Sequence, residues 1–358
     1  MKFLFIIQGE GRGHMTQAIS LSEILRSEGH EIVHVLVGKS KRRNIPQFFL
    51  EKIKSNVTQI ESPNFAVDAG NRKIQMWRSM FLNMFLLGAF IKSLKIIRKI
   101  VKENKPDAII NFYELLGGLF YIFYRPKVKL FCVGHQFLLL HPEFKFPKGH
   151  KMDHWLMNIY TWIISFKARK LLALSFRPMP DVPVKKLFTV PPLLRPEVTK
   201  LIPETKPYIL GYILNSGYAE DIKKWHESNP GTELHFFWDK NDVPEDMKID
   251  EKLVFHKLND TKFLDLMSKC AGFSSTAGFE SVCEAMYLGK PIMMVPTYGH
   301  FEQACNALDA SIAGAGFKSD TFDLTALQDY IPKYKDISVE FRKWADSSKS
   351  KFLSLLLT

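Results

Sequence analysis

Apolar runs and glycine stops alternate along the chain in a regular order. Phe3–Ile7 is unbroken hydrophobic sequence halted by Gly9, the pattern of a strand buried on both faces. Thr16–Ser27 then puts Ala18, Leu21, Ile24 and Leu25 on one face, which predicts a helix that Gly29 ends. Ile32–Val37 predicts the next strand, and further strands are predicted at Asp107–Phe112 and Lys129–Val133. A strand, loop, helix and strand in that order open a right-handed parallel unit.

Residues 191–207 hold five prolines, Pro191, Pro192, Pro196, Pro203 and Pro207, and so predict a stiff, exposed linker that joins no sheet. Beyond it the alternation restarts. Strands are predicted at Tyr208–Leu214, Leu234–Trp238 and Lys252–Phe255, and helices at Ala219–Glu227 and Thr261–Lys269. A chain of 358 residues exceeds one ordinary core. The expectation is an α/β protein of two Rossmann-like domains, residues 1–190 and 208–335. A C-terminal segment, 336–358, follows, with Val339–Leu356 helical.

Charge separates the two halves. Residues 1–200 hold 32 Lys and Arg against 14 Asp and Glu, whereas the remainder holds 17 against 23. The positive excess lies wholly in the first half and implies an anionic partner there. Lys92, Lys95, Lys99 and Lys102 form one helical stripe opposite Phe90, Leu94, Ile97 and Val101. The Met76–Leu82 segment before it is aromatic and apolar. A second segment, His154–Lys170, carries Trp155, Tyr160 and Trp162 and ends in Lys167, Arg169 and Lys170. Basic residues beside aromatic faces suit an anionic membrane surface or a lipid-linked acceptor, and equally a helix packed on a sheet with solvated lysines. No charge-free stretch reaches the roughly 20 residues of a membrane span. Cys132, Cys270, Cys283 and Cys305 show no CxxC spacing and read as buried free thiols, which places the protein in the cytoplasm, with the inner membrane face as a possible contact. No RNA-reading signature is present, so no nucleic-acid partner is expected.

The densest chemistry lies between Ala271 and Ala307. Ser274-Ser275-Thr276-Ala277-Gly278 is a small-residue turn before a helix predicted over Phe279–Leu288. Gly289 and Pro291 lead into a strand, Ile292–Val295, and Glu302, Gln303 and Asn306 follow it. Free backbone N–H groups at a helix start beside hydroxyls suit a phosphate. Glu284, a turn or two later, suits a ribose diol.

This order resembles the donor site of nucleotide-sugar glycosyltransferases with the GT-B fold. The likeness is to the small-molecule UDP-glycosyltransferases and to the transferase that adds N-acetylglucosamine to the lipid-linked peptidoglycan precursor. It rests on Ser275-Thr276-Ala277-Gly278, Glu284, Gly289-Lys290-Pro291, Pro296, Glu302-Gln303 and Asn306-Ala307. The resemblance implies two domains facing across a cleft and sugar transfer from a nucleotide-sugar, a UDP-sugar by preference. It implies donor contacts at Ser275, Thr276, Ala277, Gly278, Ser281, Glu284, Glu302 and Gln303. Phe255 and Leu258 would receive the base, and Ser216 would approach the diphosphate. The last helix of the resembled fold often crosses back to the first domain.

The loop after the first strand reads Gln8-Gly9-Glu10-Gly11-Arg12-Gly13-His14. A dinucleotide fingerprint would need glycine where His14 stands. In the resembled enzymes Gly-x-Gly-His supplies the catalytic base, so Gly11 and Gly13 are expected at the donor and His14 at the acceptor hydroxyl. A neutral imidazole accepts such a proton at neutral pH. Glu114, after a later strand, is expected to fix the tautomer of His14. Glu10 and His135 are acceptor-side candidates. No metal ligand set or cofactor is expected, and no Asp-x-Asp triplet occurs in the chain. The alternatives left open are a nucleotide-sugar 2-epimerase of the same fold and a non-catalytic nucleotide-sugar or lipid-binding protein.

Overall fold

A computed structural model describes residues 1–39, 45–63, 87–213, 216–240 and 243–357. Two seven-stranded sheets organise them. The first comprises β1 (Lys2–Ile7), β2 (Glu31–Lys39), β3 (Val57–Glu61), β4 (Ala108–Phe112), β5 (Lys129–Gly134), β6 (Lys170–Leu174) and β7 (Leu187–Val190), in the order β3-β2-β1-β4-β5-β6-β7. All its pairings are parallel. The second comprises β8 (Tyr208–Ile213), β9 (Glu233–Trp238), β10 (Asp246–Lys248), β11 (Leu253–Lys257), β12 (Gly272–Ser275), β13 (Ile292–Met294) and β14 (Gly316–Lys318), ordered β10-β11-β9-β8-β12-β13-β14. Only the short edge strand β10 runs antiparallel. The strand order reverses between β1 and β4 in one sheet and between β8 and β12 in the other, where sheets of this kind bind ligands at the carboxyl ends of their strands.

The expected two-sided burial of β1 is realised. Phe3, Phe5 and Ile7 enter one apolar cluster while Leu4 and Ile6 enter another on the opposite face. The first of these clusters continues through Phe176 and Phe279 into Leu210 and Phe273 of the second sheet, so the two layers share a core. All four cysteines are buried and free.

The structure moves several boundaries. The first helix spans Arg12–Ser27, four residues earlier than its apolar face predicts, because Gly11 takes the extended cap conformation and Gly13 fits the first turn. His14 therefore sits inside the helix. The predicted final helix is two, Ser338–Asp346 and Ser348–Leu356, separated by a tight turn in which Ser347 N–H bonds Trp344 C=O at 3.2 Å. Both lie against the first sheet's layer. Trp344 Nε1 donates to Ser175 C=O at 3.0 Å, and Lys351 meets Asp181 at 2.8 Å. Proline content suggests an exposed segment at 191–207, yet Pro191, Pro192, Leu193, Arg195 and Val198 are buried, and only the stretch from Ile202 to Pro207 is exposed throughout. Leu193 and Val198 fill the shared core, and that apolar burial outweighs the stiffness that keeps prolines at surfaces.

The lysine-striped helix spans Leu87–Asn104, with Phe90, Leu94 and Ile97 buried and Lys92, Lys95, Lys99 and Lys102 exposed. The aromatic-rich second segment is a helix over Lys151–Ile164 only, since Lys170 already belongs to β6. The Met76–Leu82 segment lies outside the described residues. No helix among those described is long and apolar enough to cross a membrane.

One close approach fixes the loop that follows β1. A Cβ on Gly9 would stand 1.7 Å from the carbonyl oxygen of Gly38 at the end of β2. That oxygen is backbone of β2, which is paired with its neighbours in the sheet, so it cannot step aside without disturbing the ladder. Gly9→Ala is expected to destabilise the fold by at least the ~1–3 kcal/mol typical of overpacking, with urea denaturation as the measurement. An unchanged midpoint would show that the loop is not held by this contact.

Candidate functional site

The carboxyl ends of β1, β4 and β5 face those of β11, β12 and β13 across a cavity of about 540 Å³. Three helices begin at its wall: Arg12–Ser27 after the β1 loop, Phe279–Tyr287 after β12, and Phe301–Ile312 after β13. Each directs the positive end of its dipole toward the cavity; the first two carry no side-chain cap, whereas His300 Nδ1 accepts from Gln303 N of the third at 3.4 Å. A convergence of three such ends makes the cavity floor receptive to negative charge.

Backbone strain shapes two of the turns. Tyr113 and Ala277 are non-glycine residues with φ of 56°, each directly beyond or near the end of the strand that borders the switch point of its sheet. Such conformations cost of order 1–3 kcal/mol and persist when neighbours enforce them. Tyr113 is anchored through its hydroxyl, which pairs with Thr161 Oγ1 at 2.7 Å. Ala277 is anchored through its carbonyl, which accepts from Asn306 Nδ2 at 3.1 Å. The asparagine of the motif thus holds the small-residue turn in shape.

His14 occupies the seam between the domains. Its Nδ1 lies 3.2 Å from Gln17 Oε1, and Gln17 Nε2 donates to Glu280 Oε1 of the second domain at 2.7 Å. Its Nε2 lies 3.3 Å from Gln136 Nε2, and that same amide nitrogen donates to Glu302 Oε1 at 3.0 Å. These bonds assign the tautomer. Gln17 commits its nitrogen to Glu280 and presents its oxygen, so Nδ1 carries the hydrogen and Nε2 keeps a lone pair. Burial pushes the His14 pKa down to about 4, with the Gln17 bond opposing the shift. The ring is a neutral acceptor at physiological pH. Gly13 permits the arrangement, since a Cβ there would press on Glu280 Cγ at 3.2 Å.

Glu114 does not orient His14. Its side chain turns away to cap the Leu115–Tyr124 helix, accepting from Leu116 N at 3.1 Å and from Ser62 Oγ at 2.5 Å. Gln17 holds the imidazole in its place. Because His14 falls in the first helical turn, its neighbour three residues on shares its face, and the later predicted start concealed that relation. Gln136, adjacent to His135, and Glu280, four residues before Glu284 on one helix face, carried no separate signal in the sequence.

Of the residues expected at the donor, Gly11, Gly13, Leu258, Thr276, Gly278, Ser281, Glu284, Glu302 and Gln303 line the cavity. Glu10 and His135 line it too. His135 donates from Nδ1 to Leu174 C=O at 2.8 Å and stacks on Phe279 at 4.3 Å, and burial lowers its pKa. Gln303 turns its side-chain oxygen to Thr297 N at 2.7 Å, securing the loop before its helix. Phe255, Ser275 and Ala277 stand behind the wall, fully buried. Phe255 packs on Trp238 at 4.6 Å in the second domain's outer core. Strand alternation turns that side chain from the cavity, which leaves only backbone groups of this strand end for the expected contact with a base. Ser216 begins a short 3-10 turn after β8.

Glu284 is occupied. Arg195 Nε and Nη2 donate to its two oxygens at 2.6 and 2.7 Å, both side chains are buried, and Arg195 Nη1 lies 3.6 Å from Asp260 Oδ1. Arg195 comes from the proline-rich segment, where it is the one charge in Pro191–Pro196. That isolated cation in an apolar run was the available signal. Breaking a buried pair by removing one member costs about 3–5 kcal/mol, so Glu284 is a structural as well as a cavity residue.

Two Rossmann-like sheets facing across a cavity, with helix starts converging on a seam histidine, form the GT-B architecture of glycosyltransferases. The kitacinnamycin glycotransferase aligns with 99% of the chain and 97% of its own at a TM-score of 0.64 and 13% identity. MurG of Acinetobacter baumannii aligns with 99% of both chains at 0.57 and 14%. A structure of Phytolacca americana UGT2, complexed with UDP-2fluoro-glucose and pterostilbene, covers 97% of this chain and 94% of its own at 0.64 and 14%. These likenesses are of fold. The chain itself belongs to glycosyl transferase family 1, whose profile matches residues 1–334, and it is a glycosyltransferase enzyme. An uncharacterized glycosyltransferase of Methanosarcina acetivorans is 24% identical over 353 residues, 88% of this chain and 85% of that protein. One from Methanosarcina mazei matches to the same extent.

Buried acids give the site a pH signature. Burial pushes Glu280 up to about 8 and Glu302 and Glu114 up to about 7. A carboxyl whose folded pKa is raised holds a proton that the unfolded chain has lost, so its stabilising contribution is full below the ordinary range near 4.5 and fades as pH rises through 7 and 8. His14 has the opposite sign, but its loss falls between about 6.5 and 4. Three such carboxyls outweigh the one imidazole, so the net contribution of these groups to stability is expected to decline from about pH 4.5 to 8. Glu280→Gln should flatten part of that slope in urea titrations. An equal slope in the variant would mean that Glu280 titrates in its ordinary range.

Proposed function

We propose that the protein moves a sugar from a nucleotide-sugar donor, a UDP-sugar by preference, to an acceptor hydroxyl by single displacement with inversion and without a metal. The observation that carries this reading is His14, a neutral ring on the cavity wall at the seam between the domains, whose unprotonated Nε2 is met by the Gln136 amide nitrogen at 3.3 Å. The acceptor oxygen attacks the anomeric carbon, its proton passes to His14 Nε2, and the bond to the β-phosphate breaks with its electron pair leaving on the phosphate. The helix starting at Phe279, with Thr276, Gly278 and Ser281 beside it, suits the charge that develops on the departing diphosphate. Helix dipoles supply there what a metal supplies elsewhere. The UDP preference draws on the motif and on the UDP-sugar in the Phytolacca structure, while thymidine diphosphate in a spinosyn rhamnosyltransferase of the same fold keeps the pyrimidine as the shared element.

In this reading residues 1–190 receive the acceptor, 208–335 receive the donor, and 191–207 join them. The acceptor wall is apolar: Phe48, Leu156, Met157, Tyr160 and Ile163 line it, and the last four lie on the Lys151–Ile164 helix. The outer face of that helix leaves Met152, Trp155 and Trp162 more than half exposed. Together with the exposed lysines of the Leu87–Asn104 helix, this supports a lipid-linked acceptor met at an anionic membrane face.

Incubation with UDP-, GDP- and dTDP-sugars, followed by mass spectrometry of the products, tests the reaction. Transfer or slow donor hydrolysis is expected, and free epimer as the sole product would make the protein a 2-epimerase instead. His14→Ala should cut turnover about 10²–10⁴-fold while leaving donor affinity within a few-fold. Wild-type kcat/KM should hold below pH 6, because the ring charges only near 4. A loss of donor affinity as large as the loss of turnover would make His14 a phosphate ligand.

Membrane contact has its own test. Wild-type protein should sediment with vesicles containing acidic lipid at low salt and release by a few hundred millimolar salt, since screening acts over ~8–10 Å at physiological strength. Substituting Trp155 and Trp162 with Ser should weaken that sedimentation with no change in donor affinity. A wild type that stays in the supernatant points to a soluble acceptor.

A further inference from the structure

The pairing of Glu284 with Arg195 changes which groups can read the donor. Sequence alone assigns Glu284 to the ribose diol, yet each of its oxygens already accepts a guanidinium N–H and the residue is 2% exposed. What the pair presents toward Asp260 is Arg195 Nη1, whose N–H groups are not spent on Glu284. Asp260 Oδ1 stands 3.6 Å from that nitrogen, and Asp260 Oδ2 is buried without a hydrogen-bond partner. Both residues line the cavity.

Each adjoins another part of the donor wall, Asp260 through the chain before it and Arg195 through its bonds to Glu284. Leu258 and Asn259 directly precede Asp260 at the end of β11, and Thr276, Gly278 and Ser281 surround the start of the helix that carries Glu284. A nucleoside diphosphate with its base at the first and its phosphates at the second would bring its ribose to Asp260 and Arg195. A vicinal diol needs an acceptor for its hydroxyl hydrogens and a donor for its oxygen lone pairs. A carboxylate beside a guanidinium offers both.

We propose that Arg195 and Asp260 read the ribose diol, and that Glu284 acts by holding the guanidinium in register. The proposal rests on the nucleotide-sugar reading above and adds to it a specificity: the site distinguishes ribose from 2′-deoxyribose. Losing one hydroxyl would leave a group of this buried set unpaired, the circumstance in which polar sites reject an analogue most strongly. It also makes the segment that joins the domains part of the donor site, through the one residue Arg195.

Calorimetric titration of UDP and dUDP tests it with the intact chain. Wild type should prefer UDP at least tenfold. Asp260→Ala, at a side chain 26% exposed, should fold and should bring the ratio of the two affinities close to one. Arg195→Met removes the guanidinium that would donate to the diol oxygens, and its ratio should also collapse. Should that variant fail to fold, the joint replacement Arg195→Met with Glu284→Leu removes both buried charges and serves instead, because an apolar pair of similar volume substitutes for a buried ion pair without an orphaned charge. A tenfold preference retained in Asp260→Ala, or kept by Arg195→Met, would return the diol to Glu284 or to other groups and overturn the proposal. A wild type that binds UDP and dUDP equally overturns it while leaving the nucleotide-sugar reading standing. Binding of neither nucleotide would overturn both.

Discussion

Two amide side chains, Gln17 and Gln136, span the seam between the domains and set the state of the histidine between them. Each donates across the seam to a carboxyl of the second domain, Glu280 or Glu302, and each also touches the imidazole of His14. An amide has one acceptor oxygen and one donor nitrogen, so committing the nitrogen of Gln17 to Glu280 decides what its oxygen faces. The ring nitrogen next to it must carry the hydrogen, and the far nitrogen must be bare. The protonation state of His14 is thus a property of the assembled pair of domains. Neither domain alone contains the partners that fix it.

Burial that makes His14 neutral also raises Glu280 and Glu302, so the seam holds little net charge when empty. Three helix starts provide positive potential nearby. An anionic diphosphate entering such a place meets dipoles already oriented toward it and little opposing carboxylate charge, which is the preorganised electrostatics that enzymes use in place of solvent. The strained turns at Tyr113 and Ala277 fit the same account. Their conformations are held from outside, by Thr161 and Asn306, so the strain sits where the chain must pass closest to the cavity.

Much of the fold was legible because buried parallel strands write themselves plainly. Phe3–Ile7 and Tyr208–Ile213 need apolar residues on both faces, and Gly9 closes the first of them. The strand–turn–helix of the second domain was legible for the same reason, since Gly289 and Pro291 bound it on one side and the small-residue turn on the other. The site was harder. Linear pattern reports what is near in sequence, whereas the two partners of His14 are amides with no periodic signature, and one of them, Gln136, comes from a distant segment. Glu114 was misread because a carboxylate after a strand looks the same whether it points to a cavity or caps the next helix. The proline-rich segment was read as exposed because proline content speaks of stiffness and says nothing of what Leu193 and Val198 are packed against.

That shared packing has a consequence for how the molecule can vary. Phe301 and Cys305 begin a helix of the second domain yet belong to the apolar cluster beneath the first sheet, and Phe279 joins Phe176 in the other. The halves therefore resemble two parts of one casting more than two modules on a tether. A donor half exchanged for that of a distant relative would arrive without the matching surface, and its new neighbour would expose aromatic rings where it should bury them. Substitutions along the cavity wall can therefore alter what this chain accepts without disturbing the seam that both halves share.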